Sequence, residues 1–324
     1  MTEDNYDITI VGAGPSGLFA GFYAGMRKNK VQILDSLESP GGQLTALYPE
    51  KTIHDVPGYF AVKAEDLVAD LVKQTAQFGV PIRLSEKVLD IKELPDSGFY
   101  EVTTSKTSYV TKAVIIATGN GSFAPKMLKT DEPSTFDEAK LRYHVADKEQ
   151  FKNQRIAVAG GGDSAIDMAL MLEEVGASVS LIHRRDEFRA HESSVDKLHA
   201  SSVDVLTPVT IKTISDDQDA LLLTLSDDRQ LIVDTMVVQH GFLSNNKDIR
   251  AWSVNLKMNR QHFLVDTHYQ TSSDNIYAIG DTASYEGKLG LIVEGFKEGP
   301  HAINQIMGKI KSGLAKHAHS TSMF

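Results

Sequence analysis

Two glycine-rich turns carry the most legible chemistry in this chain. The first lies in Asp7–Gly17, DITIVGAGPSG, where a short apolar strand (Ile8, Ile10, Val11) runs into Gly12-x-Gly14-x-x-Gly17, with Pro15 and Ser16 between the last two glycines. The second follows Arg155–Ala159 and reads Gly160-Gly161-Gly162-Asp163-Ser164-Ala165, or G-x-G-x-x-A. Such a turn brings backbone N–H groups and a helix N-terminus up to a pyrophosphate. The two copies differ after the next strand. Val31–Leu34 ends on Asp35, 23 residues past Gly12, whereas Val179–Ile182 ends on His183, 23 residues past Gly160, with Arg184, Arg185 and Arg189 close behind. A carboxylate there accepts hydrogen bonds from ribose hydroxyls and repels a 2′-phosphate; guanidinium groups bind that phosphate. A lone Asp after a strand, or a lone Arg cluster, is an ordinary solvated surface. The offset from a glycine turn gives each its meaning, so the second site is expected to take an NADP-type nucleotide.

The elements that must hold these turns follow from pattern. Leu18–Met26 mixes aromatics with small residues, as a helix lying close to a sheet does. SPGGQL at Ser39–Leu44 is a loop whose Gly41 and Gly42 let backbone approach a ligand. Tyr48, on residue type alone, reads as a packing aromatic. Ala64–Phe78 is an amphipathic helix stopped by Gly79, with Leu67, Val68, Leu71 and Val72 on one face. Phe99–Thr103 and Ser108–Thr111 alternate as an antiparallel pair, and Ala113–Ala117 is a separate apolar strand closing on Ala117-Thr118-Gly119. In the second half, Ser164–Glu174 is a helix stopped by Gly176. Val203 to Val238 reads as short strands with turns at Ser215–Asp219 and Ser226–Arg229. Asn275–Asp281 is a strand ending in Gly-Asp, and Leu289–Ile310 a long helix kinked or broken at Gly299-Pro300. The C-terminal KHAHSTSMF, by itself, is a frayed end.

Composition removes several function classes. The 324 residues hold 41% hydrophobic and 23% charged residues and carry a formal net charge of −10, so neither a general nucleic-acid binder nor a membrane-surface binder is expected. No apolar run approaches the roughly 18 residues of a membrane span. The acidic MTEDNYDITIVG does not read as a secretory signal, and the expected location is cytoplasmic. Cysteine is absent, which excludes thiol redox chemistry by this chain. His191-Glu192 opens like the zinc signature H-E-x-x-H, but Val195 stands at its fifth position, so no metal site is expected.

A second dinucleotide unit inserted within a first, with ATG and a late Gly-Asp, resembles the two-domain pyridine-nucleotide–flavin oxidoreductases. The expected fold is α/β: two Rossmann-like, three-layer ββα domains, with residues 1–119 and 244–324 forming one and 120–243 the other. GGQL at Gly41–Leu44, GGGDSA at Gly160–Ala165 and HRRDEFRA at His183–Ala190 resemble the thioredoxin-reductase architecture. That family's Cys-x-x-Cys would fall near Arg142–Asp147, which here reads RYHVAD. LYPEKTIHDVPG, HRRDEFRAHE, LHAS and the terminal HSTSMF resemble instead the thioredoxin-reductase-like ferredoxin–NADP⁺ reductases, which lack the dithiol, and the likeness runs the whole length.

The resemblance implies roles. FAD would lie on Gly12–Gly17 (Gly12, Gly14, Pro15, Ser16 and Gly17) with Asp35 at the ribose and further contacts from Gly42, Gln43, Val88, Phe123, Asp281 and Thr321. Tyr48 would stack on one face of the flavin ring. His319 of the partner subunit would cover the other, with Ser320 at the reactive edge, which reverses the frayed-end reading and implies a homodimer. NADPH would use Gly162, Asp163, Ser164, Ala165, His183, Arg184, Arg185 and Arg189. The implied activity passes hydride from NADPH to flavin N5 and single electrons to ferredoxin or flavodoxin, with the two domains rotating about crossings near Gly119–Gly121 and Gly241–Asn245. The net charge requires a local basic patch for an acidic ferredoxin. Two other readings compete: an NADPH-dependent flavin, quinone or ferric reductase without a protein acceptor, and a non-catalytic flavin-binding redox sensor.

Overall fold

The computed structural model describes residues 5–310 except 48, 96, 146 and 246, and leaves the side chains of 122–124 and 242–248 undescribed. The chain divides into two compact units, residues 1–122 with 244–324, and residues 123–243.

In the first unit, Asn5–Val11 forms the strand ahead of the glycine turn and lies between Val31–Leu34 and Ser108–Ile116, parallel to both. Ile82–Arg83 extends the parallel sheet beyond Val31–Leu34. Ser108–Ile116 is one continuous nine-residue strand, where two were expected. Its first half pairs antiparallel with Tyr100–Thr104, and its second half pairs parallel with Ile276–Ala278. One edge thus serves two partners in succession, so the change of neighbour at Lys112 looked like a strand boundary in the sequence. Side chains alternate across this sheet as period-two strands require. Ile8, Ile10, Ala113, Ile115 and Tyr277 face a core closed by helices Pro15–Met26, Ala64–Ala76 and Ile292–Ile310. Val11, Val114, Ile116, Ile276 and Ala278 face a second core with Ile91, Tyr100, Val102 and Phe263, beneath the antiparallel strands. Helix, parallel sheet and antiparallel strands make three layers.

The second unit repeats this plan. Leu141–Arg142, Thr235–Val238, Arg155–Ala159, Ser178–Ile182 and Asp204–Leu206 form a parallel sheet in that order. Ile156, Val158, Val179 and Leu181 pack on the helix Asp163–Glu174, while Ala157, Ala159, Ile182 and Met236 pack on an antiparallel trio of Ile211–Asp217, Ala220–Leu225 and Gln230–Val233. The fold is the expected pair of three-layer ββα units.

Three local readings change. Of the kink or break expected at Gly299-Pro300, the break does not occur: Ile292–Ile310 runs through both residues as one helix. Proline removes one helical hydrogen bond, and here that loss is set against a buried face of Ala302, Ile303, Ile306 and Met307. The amphipathic helix ends at Ala76, two residues early, because Phe78 and Gly79 bond back to Thr75 and Ala76 as turns. The strand expected to turn at Ser215 continues to Asp217, leaving Gln218, at φ 53°, to make the turn.

Candidate functional site

The first glycine turn is shaped by close approach. Gly12 has φ 115°, and a Cβ on it would lie 2.3 Å from the Ala117 carbonyl oxygen. A Cβ on Gly17 would lie 1.9 Å from the Gly12 carbonyl oxygen, so the first turn of the helix can pack against the glycine loop only with glycine at this position. Gly14 is the N-cap, and a Cβ on it would meet nothing within 4 Å; no side chain caps the helix, Pro15 opens it, and its first turn holds no acidic residue. N–H groups at the positive end of a helix dipole, without a side-chain cap and beside a Gly14 whose Cβ would meet nothing within 4 Å among the described residues, fit a pyrophosphate.

Asp35 is tied directly to this turn. Its Oδ2 accepts from Ala13 N–H at 2.6 Å and its Oδ1 from Leu37 N–H at 2.8 Å. Burial raises its pKa against the pull of these backbone bonds. Each oxygen keeps a lone pair, and an acceptor-only group suits the two hydroxyls of a ribose. The SPGGQL loop closes from above: Gly41 N–H donates to the Ala13 carbonyl at 2.8 Å, and Gly42 sits where its Cβ would be 3.3 Å from Gly14 Cα. Gln43 heads a short helix, Gln43–Leu47, and its Nε2 is 3.5 Å from where a Gly119 Cβ would stand. Val88 is buried at the start of its strand. Asp281 projects, exposed, from the turn Gly280–Thr282, and Thr282 Oγ1 lies 3.3 Å from Thr118 Oγ1. This brings Gly12–Gly17, Asp35, Gly42, Gln43, ATG and Gly-Asp to one end of one sheet.

The second turn is built alike but clasped differently. Gly162 is the N-cap of Asp163–Glu174, again without a side-chain cap. A Cβ on Gly161 would meet the His183 imidazole at 2.0–2.4 Å, so the ring occupies the side-chain volume that Gly161 lacks. The ring is also stacked on Phe188 (centroids 5.3 Å, interplanar 21°) and lies 3.2 Å from the Glu187 carbonyl through Nε2. Burial first, and then the charges of Arg184, Arg185 and Arg189, hold its pKa below the ordinary imidazole range; the bond to Glu187 opposes them only in part. Arg189 N–H donates to the Gly161 carbonyl at 2.7 Å, and His191 N–H donates to Asp163 Oδ1 at 2.9 Å. The arginine segment is therefore fastened to the glycine turn at three points. Arg184, Arg185 and Arg189 are exposed, and none of their guanidinium groups has a hydrogen bond or ion pair among the described residues. Three unpaired guanidinium groups beside an uncapped helix N-terminus fit a nucleotide with a 2′-phosphate.

A family model for pyridine nucleotide-disulphide oxidoreductases matches residues 6–305. The chain belongs to the pyridine nucleotide-disulphide oxidoreductase family. It is 48% identical over 329 residues to a Pediococcus pentosaceus protein named ferredoxin–NADP reductase, covering 100% of this chain and 99% of that one. It is 47% identical over 326 residues to a Lactiplantibacillus plantarum protein of the same name, covering 98% of each. A solved thioredoxin reductase from T. acidophilum superposes with a TM-score of 0.78 at 23% identity, over 94% of this chain and 99% of that one, a likeness of fold.

Within this family's two cradles, Asp163 and His183 are engaged by the protein itself, so sequence reasoning named them for contact with nucleotide but missed their use as struts. Ser16, named for contact with FAD, also packs its Oγ into the volume beside both Gly280 and Gly295, and Glu298, which accepts from the Gly280 amide, was not named at all. The legible signal for Glu298 was a carboxylate on the apolar stripe with Gly295, Ala302 and Ile306. Tyr48, His319, Ser320 and Thr321 lie outside the described residues, as does the side chain of Phe123. Among the described residues, no helix is long and apolar enough to cross a membrane.

Proposed function

We propose that this chain is an FAD-dependent ferredoxin–NADP⁺ reductase that binds FAD in the first unit and NADPH in the second. One contrast carries the reading: two glycine cradles of the same build, one flanked by Asp35 and the other by three unpaired guanidinium groups, in a chain without cysteine. Bound FAD supplies the chemistry no side chain here offers, because it accepts a hydride from NADPH and releases electrons singly. The protein binds and orients. The uncapped helix N-termini neutralise pyrophosphate charge, Asp35 and Asp281 accept hydroxyl hydrogen bonds, and Arg184, Arg185 and Arg189 select the 2′-phosphate. The relatives named ferredoxin–NADP reductase, matching end to end at 47–48% identity, support ferredoxin as the acceptor, with flavodoxin the alternative single-electron carrier of the same proposal.

Further assignments belong to the same reading. Tyr48 covers one flavin face, and His319 of the partner subunit the other, with Ser320 at the edge and Val88, Phe123 and Thr321 as further contacts. The active form is then a homodimer, working in the cytoplasm, and its two units turn about the crossings near Gly119–Gly121 and Gly241–Asn245 to bring nicotinamide to flavin. Stopped-flow reduction with NADPH and NADH, followed by mixing with ferredoxin, tests the activity. Rapid bleaching by NADPH with prompt reoxidation by ferredoxin is expected. Bleaching without faster reoxidation by ferredoxin or flavodoxin would instead favour a flavin, quinone or ferric reductase. No bleaching would favour a redox sensor.

A further inference from the structure

Helix Ile292–Ile310 carries a carboxylate in the middle of its buried face. Glu298 is 0% exposed and shares its stripe with the buried Gly295, Ala302 and Ile306. An ionised group there is costly unless every lone pair is served. It is well served. Oε2 accepts from Gly280 N–H at 2.5 Å, and Oε1 accepts from Lys288 Nζ and, at 2.7 Å, from the Tyr285 hydroxyl, which also lies 2.8 Å from Glu294 Oε2. Burial, followed by these two carboxylates, pushes the Tyr285 phenol well above its ordinary range.

Stability is a weak reason for this arrangement. Replacing a buried ion pair by apolar residues of similar volume is commonly neutral or stabilising. What the pair does is better sought in what Glu298 holds, which is the amide of Gly280. That residue has φ 68°, and a Cβ on it would be 2.6 Å from Ser16 Oγ. The turn Gly280–Thr282 is therefore wedged between the glycine turn on one side and the Glu298 carboxylate on the other, with Asp281 exposed at its apex.

We infer that Glu298, neutralised by Lys288, is a positioning residue that sets FAD affinity by fixing the Gly280 amide and through it the Asp281 carboxylate. The inference rests on the assignment of FAD to the first unit. A charge-assisted bond to a backbone N–H is short and directional, so it holds the turn in a way that apolar packing cannot. The function of the buried acceptor is then the geometry of a neighbouring loop.

Two neutral pairs separate this from a structural role. Lys288→Met/Glu298→Gln keeps an acceptor oxygen for Gly280, whereas Lys288→Met/Glu298→Met fills the same space without one. FAD is titrated into deflavinated protein, and melting is followed separately without flavin. The Gln pair is expected to bind FAD within about threefold of wild type. The Met pair is expected to bind at least about tenfold more weakly, roughly 1.4 kcal/mol, with blurred vibronic shoulders in the flavin spectrum and a melting temperature no lower than that of the Gln pair. Should the Met pair not fold, Glu298→Asp serves: it keeps the charge, withdraws the oxygens by one methylene, and is expected to weaken FAD by a similar factor. Equal FAD affinity in the Gln and Met pairs, or wild-type affinity in the Asp variant, would overturn the inference. Failure of the deflavinated wild-type protein to bind FAD would instead overturn the underlying assignment.

Discussion

The contact between Gly161 and His183 gives the sharpest test of the second cradle. In Gly161→Ala the new methyl group would lie 2.0 Å from His183 Cε1, 2.1 Å from Nδ1 and 2.4 Å from Nε2. Ordinary carbon contacts are about 3.5–4.0 Å, so the ring or the turn must give by roughly 1.5 Å. The ring has little freedom, since Phe188 stacks on it and the Glu187 carbonyl holds its edge. Overpacking of this kind costs about 1–3 kcal/mol. If the turn yields, that cost appears in the unfolding midpoint. If the ring yields, it carries the arginine segment away from the helix N-terminus, and at about 1.4 kcal/mol per tenfold the loss appears as a roughly 5- to 150-fold weaker NADPH affinity. His183→Ala empties the volume that the methyl needs, so Gly161→Ala/His183→Ala should recover part of the loss, with a coupling of about 1–2 kcal/mol. The assay is NADPH titration and denaturant unfolding of the four proteins in the cycle, with FAD content as an internal control. Additive losses, or Gly161→Ala with wild-type stability and NADPH affinity, would refute the clasp.

Three other outcomes follow from the geometry. Arg184→Ala removes one exposed, unpaired guanidinium group and should weaken NADPH binding by about tenfold or more while leaving NADH unchanged; equal losses for both nucleotides would contradict a 2′-phosphate role. Asp35→Asn places an amide NH₂ where one oxygen now accepts from Ala13 or Leu37, so FAD release from the holoprotein, read by flavin fluorescence, should accelerate about tenfold or more; an unchanged rate would sever Asp35 from the cradle. His183 has a folded pKa below its unfolded value of about 6.5, so the unfolded chain binds its proton first and the His183 contribution to stability falls as pH drops through that value, levelling off below the folded pKa. Melting of wild type and His183→Asn between pH 7.5 and 5.0 should show a shallower acid-side decline in the variant, and parallel curves would count against the depressed imidazole.

Much of this protein is local, and local features were legible in the chain. The Arg155–Ala159 and Val31–Leu34 strands are where their apolar runs stand, because a strand buried on both faces needs nothing but such a run. The glycine turns, Asp35 and the arginine segment could be recognised because a turn and its next strand keep a fixed spacing, whatever the rest of the fold does. What tertiary structure alone decided are the contacts that close only when distant segments meet. The strand Ser108–Ile116 looked like two because its edge is shared by Tyr100–Thr104 and by Ile276–Ala278, which returns from far along the chain. Helix Ile292–Ile310 passes Pro300 unbroken because buried packing on the opposite layer outweighs one missing hydrogen bond. His183 and Asp163 become struts only when the chain folds back to place a ring against Gly161 and a backbone amide against a carboxylate. Glu298 could be seen in advance only as a charge in the wrong place. Its partners, Gly280, Lys288 and Tyr285, lie on a turn and loop whose path no periodicity encodes, and a buried carboxylate acquires its meaning from whatever donors the fold delivers to it.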